Sequence, residues 1–282
     1  MRYRYYYCDF NQSPELIEFL TENGIAYKEH YAGQNRKPLI IFNIWSNKPN
    51  SEYFVSTLEK MNRKPHVYIE YSEADRKKAK LLWLHPKKQK IDLINEEESF
   101  EFGCWYESWL GHKCYKHEMQ KGLLSISKEP STNSKDVFWT ISTGFSELFV
   151  DRKVFDAVKA SSLIGIELWD VLLRDGRKSD KIFQMTSSNI IGRECFKWGY
   201  GEVIEKCPVC GKEQYDFGSD DYQLHLDTSK INVQSDFYVT DRMFSAGIAR
   251  PIFIISQQFY QLLKKSGLTG GAVFIPIVDI AD

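Results

Sequence analysis

Two short motifs of cysteine and histidine are the part of this sequence in which residue types and spacing predict a metal site. Cys207 and Cys210 lie in "CPVCG" with two residues between them, and Cys114 and His117 repeat that spacing in "HKCYKHE". Thiolate and imidazole are ligands of tetrahedral zinc, and a tight turn can bring both members of such a pair to one ion. We therefore predict a zinc site made of these four residues.

The predicted zinc ion is structural. Four protein ligands complete the coordination sphere and leave no position for a catalytic water. Gly211, directly after the second pair, lets backbone amides approach the thiolates and hydrogen-bond to them. The ion would then hold two distant parts of the chain together.

Other residues could complete or replace this ligand set. His112 lies two residues before Cys114 and could take the place of His117. Cys104 and Cys195 are surrounded by aromatic residues, where a free cysteine usually behaves as a small buried hydrophobe. Cys8 lies in an apolar strand pattern and is expected in the core.

A redox role for Cys207 and Cys210 is the alternative to zinc. A redox-active pair needs a helix N-terminus to lower the thiolate pKa. The residues that follow, "CGKEQYDFGSDD", are rich in glycine and aspartate and do not predict a helix. Zinc binding is therefore favoured.

Composition narrows the class of protein. The chain has 282 residues, 43% of them hydrophobic, with Lys+Arg 37 against Asp+Glu 38 and a formal net charge of -1. No bulk positive field draws it to nucleic acid or to an anionic membrane, so either partner would need a local patch. Six cysteines are too few for a disulfide framework. With no apolar run that could span a bilayer and no signal peptide, we expect a cytoplasmic protein.

The order of patterns predicts an α+β fold with mixed sheets. Strand patterns occur in "RYRYYYCDF", "KPLIIFNIWS" and "HVYIEY", and helix patterns start at Ser13-Pro14-Glu15 and in "SEYFVSTLEKMN". We assign residues 1–100 to an N-terminal α+β region and residues 101–282 to a duplicated region that packs with it as one unit. The lysine-rich segment from Lys77 to Asn95, around "LLWLHP", predicts a solvated hairpin or helix face.

The duplication is visible directly. The stretches Glu147–Val171 and Ile252–Ile277 align when Gly165 is placed on Gly270. Each copy reads as a strand, an amphipathic helix, a Ser-x-Leu-x-Gly turn and a second strand. The glycine fits a turn that needs positive φ or close packing. The sequence thus predicts a repeated strand-helix-strand unit, with the possible zinc knuckle ahead of each copy.

Motifs for catalysis are missing from the sequence. It has no phosphate-binding glycine loop, no His-Glu-x-x-His and no Gly-x-Ser-x-Gly. The carboxylates Glu96 to Glu98, Asp220 and Asp221 are expected in solvated loops and not as acid/base pairs. We expect a protein that is not an enzyme; a hydrolase or oxidoreductase with an unrecognised site is the alternative.

Taken in order, these motifs resemble the double-CXXCG family of bacterial proteins associated with immunity to polymorphic toxins. The resemblance runs from "CYKHEMQ" through the first repeat copy, "CPVCG" and "SDFYVTDRMF" to the second copy. Its most specific part is the pattern S-x-x-F-x-x-x-L-x-x-x-G-L-T-G, formed by Ser256, Phe259, Leu263, Gly267, Leu268, Thr269 and Gly270. The chain departs from the family at His117 and Glu118, which stand where the family has its second cysteine and glycine.

The resemblance implies a non-enzymatic immunity protein that binds and neutralises a cognate protein toxin. Such binding depends on shape and charge complementarity over an interface and not on a shared motif. Because many toxins are basic nucleases, the acids Glu96 to Glu98, Asp220 and Asp221 are the candidates for the contact. The alternative function is a nucleic-acid-binding protein with a zinc ribbon. Such a protein needs a basic surface around the ribbon, and "RECFKWGYGEVIEKCP" offers only scattered lysines, so nucleic acid is not the favoured partner.

Overall fold

The structure is a computed structural model of the 282-residue chain. It describes every residue except 1, 10–12, 31–38, 64–65, 88, 95–98, 108–112, 132–134, 142–146, 197–202, 207–212, 216–223, 232–233, 242–250 and 282. The backbone alone is described for 8–9, 30, 39, 66–68, 89, 101–107, 113–119, 193, 203–206 and 213–215. Among the described residues, no helix is both long enough and apolar enough to cross a membrane.

The described chain forms two compact units and confirms the predicted α+β class with mixed sheets. The first unit contains Met1–Asp75 and Gly218–Tyr222, and the second contains Arg76–Phe217 and Gln223–Asp282. The sequence patterns had predicted a division after residue 100. The difference arises because the strands that follow Lys80 pair with strands from the far end of the chain.

The first unit alternates strands and helices along the sequence. Its elements are β1 (Arg2–Asp9), α1 (Pro14–Glu22), β2 (Tyr27–His30), β3 (Leu39–Trp45), α2 (Ser51–Lys60) and β4 (His66–Glu70), followed by α3 (Glu73–Lys78) at the division. The predicted strands and helices are confirmed as β1, α1, β3, α2 and β4, whereas β2 and α3 were not predicted. The strands form an antiparallel sheet in the order β2-β3-β1-β4.

Local sequence explains where the first helix begins. The Ser13 side chain accepts a hydrogen bond from the Leu16 amide at 3.2 Å, and Pro14 occupies the first helical position. That amide would otherwise lack a partner within the helix, and proline there loses no hydrogen bond. Gly24, with φ of 62°, follows the helix C-terminus. The predicted cap is confirmed.

Helices α1 and α2 pack on one face of this sheet. The core consists of alternate strand residues together with one side of each helix, namely Tyr7, Leu16, Phe19, Leu20, Ile40, Phe42, Ile44 and Leu58. Because successive residues of a strand point to opposite faces, the residues between the core positions lie on the other face. That second face is considered further below.

The described part of the second unit consists mainly of strands, with two helices. Its elements are β5 (Leu81–Pro86), β6 (Gln89–Ile91), β7 (Phe100–Glu107), β8 (Lys113–Gln120), β9 (Ser125–Ile126), β10 (Phe138–Ile141), β11 (Leu148–Asp151), α4 (Arg152–Lys159), β12 (Glu167–Leu173), β13 (Lys178–Thr186), β14 (Ile190–Ile191), β15 (Val203–Lys206), β16 (Glu213–Tyr215), β17 (His225–Leu226), β18 (Phe237–Thr240), β19 (Phe253–Ser256), α5 (Gln257–Lys265), β20 (Ala272–Pro276) and β21 (Val278–Asp279).

Strand β5 is buried and not solvated. Leu82, Trp83 and Leu84 are all buried, and β5 lies between β19 and β20. A strand covered on both faces takes a continuous apolar run, and the lysines that suggested a solvated segment flank this run. The prediction of a solvated hairpin or helix face is therefore wrong for "LLWLHP".

Two larger sheets organise the described part of the second unit. Sheet I has the strand order β6-β10-β11-β13-β12-β9, and sheet II has the order β14-β18-β19-β5-β20. Over the first five strands of each order, the first strand is parallel to the second and the following pairs are antiparallel. Sheet I has a sixth strand, β9, which is parallel to β12. The two sheets therefore share one topology over five strands.

The common topology divides the unit into two halves with the same element order. The first half runs from β5 to β12 and the second from β13 to β20, with the short strand β21 after it. In each half a long strand and a short strand are followed by a hairpin, a short strand, two antiparallel strands, a helix and a closing strand. The duplication thus extends well beyond the stretches of about 25 residues in which the sequence shows it.

The first strand of each half belongs to the sheet of the other half. Strand β5 pairs with β19 and β20 of the second half, and β13 pairs with β11 and β12 of the first. We refer to β5 and β13 as the exchanged strands. Through them, neither sheet is built from one half alone.

The repeat copies predicted from sequence are confirmed at the C-terminal end of each half. The N-cap of α4 is Asp151, whose carboxylate accepts from the Val154 amide at 3.0 Å. The N-cap of α5 is Ser256, whose hydroxyl accepts from the Phe259 amide at 3.0 Å. Both caps lie at the same position of the repeat, as the last residue of β11 or β19. An N-cap side chain at the same repeat position thus starts both helices.

The turn after each repeat helix contacts the other half. The Val137 amide donates to the Gly270 carbonyl at 3.0 Å, and the Asp236 amide donates to the Ile164 carbonyl at 2.9 Å. A Cβ added at Gly270 would meet the carbonyl oxygen of Lys135, and one added at Gly165 would meet the Ser235 hydroxyl. Gly165 has φ of 74°, so it combines positive φ with close packing, whereas Gly270 is required by close packing alone.

The main core of this unit contains equivalent residues from both halves. Its members include Leu82, Leu84, Phe138, Leu148, Val150, Val154, Phe183, Met185, Phe237, Phe253, Ile255, Phe259 and Leu263. The outer side of each sheet has a smaller core, one around Trp139 and Phe149 and the other around Trp83 and Ile254. Burial of this apolar surface is the main force that holds the halves together.

We predict that Gly270→Ala and Gly165→Ala lower the free energy of unfolding by about 1–3 kcal/mol, because the new methyl group meets atoms of the other half. The positive φ of Gly165 adds about 1 kcal/mol to its cost. Urea unfolding of the full chain measures both values.

Gly122→Ala is the matched control, since Gly122 has open space around its Cα and no positive φ. This variant should stay within about 0.5 kcal/mol of the parent. Equal stability of all three variants would show that the turn glycines do not join the halves as described.

Candidate functional site

The predicted metal ligands belong to hairpins that take equivalent places in the two halves. Cys114 and His117 lie in β8, which pairs with β7 so that Cys114 is opposite Tyr106. Cys207 and Cys210 follow β15 in the sequence and lie outside the described residues. The side chains of all four are outside the described part, so the distances among them stay untested and the zinc site stays a prediction.

The first pair of predicted ligands lies in a strand, and the predicted turn is not observed there. Cys114 and His117 occupy a continuous strand and not the tight turn expected from their spacing. By element order, the place equivalent to Cys207 and Cys210 is residues 108–112, the connection between β7 and β8, which also lies outside the described residues. His112, the alternative ligand, belongs to that connection.

Within the part of the chain whose side chains are described, no group of three or more His, Cys, Asp or Glu residues could hold a metal ion. The four predicted ligands are not in that part. The described side chains therefore offer no competing site for the ion.

Cys195 behaves as the sequence predicted for a small buried residue. It is 3% exposed and packs beside Phe196 and Leu226 in the outer core of sheet II. Burial raises the pKa of its thiol, and the nearby Glu194 carboxylate raises it further. A thiol in this state is neither a good metal ligand nor a good nucleophile. Cys104 lies in β7 opposite Lys116, with only its backbone described.

A buried polar cluster lies where β8 ends. Gln120 and Gln184 exchange two hydrogen bonds between their side-chain amides, at 2.9 and 2.6 Å. The Gln184 amide also donates to the Glu147 carboxylate at 3.2 Å. We call Gln120, Gln184 and Glu147 the glutamine cluster.

The glutamine cluster fixes the hairpin that carries the first predicted ligand pair. Gln120 is the last residue of β8, while Gln184 lies in the exchanged strand β13 and Glu147 directly precedes β11. Gln184 and Glu147 are 1% and 6% exposed, so their polar groups are costly to leave without partners. The cluster therefore couples the position of β8 to the centre of sheet I.

The second half has no equivalent of this cluster at the matching position among the described residues. Gln184 is opposite Phe149 in sheet I, and the residue opposite Ile254 in sheet II is Trp83. A tryptophan replaces the glutamine there and packs in an apolar core. The position that links β8 to sheet I in the first half is therefore apolar in the second.

Sequence reasoning missed the glutamine cluster, although one signal was present. Gln184 interrupts an apolar strand in "KIFQMT", between the buried residues Phe183 and Met185. A lone polar residue in a buried strand needs a partner, but the sequence does not show which one. Its partner Gln120 lies 64 residues earlier.

An open cavity of about 440 Å³ lies beside the end of β8. Its lining includes Lys121, Gly122, Leu123, Leu173 and Arg174, and Leu123 is 40% exposed. The Gln120 side chain donates to the Gly122 carbonyl at 2.5 Å, so the cavity wall is linked to the glutamine cluster. The cavity can accept an apolar side chain bordered by polar groups, as protein interfaces do.

Comparison with models of known protein families finds no match to this chain, and comparison with curated proteins finds none either.

We predict that the chain, produced in zinc-replete medium, contains about one zinc per molecule, and that Cys207→Ser and Cys210→Ser abolish binding because each removes a thiolate ligand. Cys114→Ser and His117→Ala should weaken it as well. Metal content is measured by mass spectrometry of the purified protein.

Cys195→Ser serves as the control, because its thiol lies in the outer core of sheet II. His112→Ala decides between the two candidate histidines. Zinc below about a tenth of an equivalent in the parent protein would contradict the metal site.

We predict that Gln184→Ala lowers the free energy of unfolding by about 2–4 kcal/mol, since it removes the buried hydrogen bonds that Gln184 makes with Gln120 and Glu147. Urea unfolding measures the effect. Ser188→Ala, at an exposed position two residues after the same strand, should change stability by less than about 0.5 kcal/mol. A Gln184→Ala variant as stable as this control would show that the cluster contributes nothing.

Proposed function

We propose that this protein is a non-enzymatic immunity protein that binds and neutralises a cognate bacterial toxin. The proposal rests on the resemblance carried by the repeat and the cysteine motifs. It places the protein in the cytoplasm, where an incoming toxin would act.

The observation that supports the proposal most directly is the structural role of the most specific motif. Ser256 caps α5, Phe259 and Leu263 are fully buried in the main core, and Leu268 is buried beneath the turn. Gly270 lies against the other half. Every one of these residues serves the fold, so the motif marks a scaffold whose partner contacts must come from other residues.

A scaffold of this kind suits a protein that acts by binding. Its halves are joined through exchanged strands and a shared core, which gives one preorganised framework of sheets. Preorganised surfaces bind tightly because little conformational entropy is lost on association. The open cavity beside β8 gives such a surface a concave feature into which a partner side chain could fit.

Charge gives the proposal a testable partner contact. The acids predicted to meet a basic toxin, Glu96 to Glu98, Asp220 and Asp221, lie outside the described residues. Complementary charges at an interface raise the association rate and select the partner. Reversal of these charges should therefore weaken the complex.

We predict a one-to-one complex between this chain and the product of the gene immediately upstream, with a dissociation constant around nanomolar or below. Co-expression followed by titration calorimetry tests this expectation. Replacement of the five acids by lysine should weaken binding by at least about tenfold, chiefly through slower association.

Charge reversal at Glu18 and Glu22, which are exposed or partly exposed on α1, is the matched control and should leave affinity unchanged. Absence of binding to the products of neighbouring genes would remove the proposed function. Binding that persists after reversal of the five acids would keep the function and refute the assigned contact.

A further inference from the structure

The face of the N-terminal sheet opposite α1 and α2 combines arginine and aromatic side chains. In β1, Arg2, Arg4 and Tyr6 lie on the face opposite the core residue Tyr7. In β3, Asn43 and Trp45 lie on the face opposite the core residues Phe42 and Ile44. We call this surface, formed by Arg2, Arg4, Tyr6, Asn43 and Trp45, the open face. It includes none of the described core residues of this unit.

Strand register brings these residues together. Arg4 is opposite Trp45, and Tyr6 is opposite Asn43. The guanidinium carbon of Arg2 lies 4.7 Å from the centroid of the Trp45 ring, and that of Arg4 lies 5.7 Å from it. The arginines and the tryptophan therefore form one continuous patch on the two central strands of the described sheet.

The patch has the chemistry for stacking and for phosphate binding. The planar face of a nucleobase stacks on an aromatic ring or on a guanidinium plane, and arginine binds phosphate through paired hydrogen bonds. The Arg2 guanidinium over Trp45 already forms the first step of such a stack. Lys28, exposed on the neighbouring strand β2 and opposite Ile41, adds positive charge to the same side of the sheet.

The ion pair on this face does not block a phosphate. Arg2 contacts the Glu70 carboxylate at 2.6 Å, but the two side chains are 51% and 38% exposed. An ion pair with this exposure contributes about 0–1 kcal/mol to stability, so Arg2 can release Glu70 at little cost in free energy. A phosphate could take the place of Glu70.

The topology matches the chemistry. Strands and helices of the first unit follow the order βαββαβ, and the sheet order β2-β3-β1-β4 places β1 and β3 at its centre. In RNA-recognition domains, aromatic residues on the central strands of such a sheet stack on bases of a single strand. The net charge of -1 averages over the whole chain and hides this local patch.

We propose that the open face binds single-stranded nucleic acid, with bases stacked on Trp45 and Tyr6 and phosphates held by Arg2 and Arg4. This activity is separate from toxin binding and does not depend on it. Double-stranded nucleic acid does not fit, because its bases are stacked on one another and cannot lie on the sheet.

The test uses the full chain and a fluorescein-labelled RNA of about 10 nucleotides, a length that matches the span of small single-strand binding domains. Fluorescence anisotropy should show binding that is weaker for the corresponding duplex and that decreases as salt rises from about 50 to 200 mM. A DNA strand of the same sequence, measured in parallel, shows whether the 2′-hydroxyl contributes.

Variants of the open face then locate the site. Trp45→Ala and Tyr6→Ala should each weaken binding by at least about fivefold, the effect of losing one stacked base. Trp45→Phe retains an aromatic ring and should restore most of the affinity. Arg4→Ala should lower the slope of log affinity against log salt by about one. Circular dichroism shows whether each variant is folded.

Matched controls lie on the helix side of the same unit. Tyr53 is 60% exposed on α2, and Tyr53→Ala should bind the RNA as the parent does. Lys60→Ala, at the end of the same helix, is the control for loss of charge.

Two results would overturn the proposal. The first is failure of the parent protein to bind either single strand, or equal binding by the folded open-face variants and the controls. The second is a parent protein that does not bind RNA but binds a protein partner, such as the product of the upstream gene, and loses that partner in the open-face variants. That outcome would make the open face a protein-binding surface.

Discussion

Pairing of the exchanged strands β5 and β13 is the interaction on which the rest of the second unit depends. Strand β5 lies between β19 and β20 of the second half, and β13 lies between β11 and β12 of the first half. Removal of either would leave a gap in the centre of a sheet, with backbone donors and acceptors of two strands unpaired. It would also expose the main core, to which β5 contributes Leu82 and Leu84 and β13 contributes Phe183 and Met185.

Other features of this unit follow from the exchange. The turn glycines are needed because each turn packs on the start of a strand from the other half. The glutamine cluster reaches the centre of sheet I through Gln184, which lies on an exchanged strand. A feature that sequence analysis would assign to one copy thus depends on residues from both. The halves form one folding unit although their elements are duplicated.

Sequence was sufficient for features that depend on neighbouring residues. Ser13 with Pro14 predicted the start of α1, and the spacing of the repeat predicted both strand-helix-strand copies. The structure adds the helix caps Asp151 and Ser256. The buried state of Cys195 followed from its aromatic neighbours. Each of these properties is set within a few residues or by one strong periodicity.

Sequence was insufficient where partners are distant. Lysines around "LLWLHP" outweighed its apolar centre, because only the pairing with β19 and β20 reveals that both of its faces are covered. The full extent of the duplication was hidden because equivalent positions need not keep the same chemistry, as Gln184 and Trp83 show. The spacing of Cys114 and His117 suggested a turn, whereas pairing with β7 extends that segment as a strand.

The exchange also determines when the protein can fold during its synthesis. Strand β5 leaves the ribosome early, but its partners β19 and β20 are among the last strands to be made. The roughly 190 residues between Pro86 and Ala272 take on the order of 10–40 s to translate at typical rates. During that time the apolar strand β5, "LLWLHP", lacks its final partners β19 and β20. Exposed apolar strands of this kind aggregate or require a chaperone. Efficient production of this protein would therefore respond to chaperone level and growth temperature more than its final stability suggests.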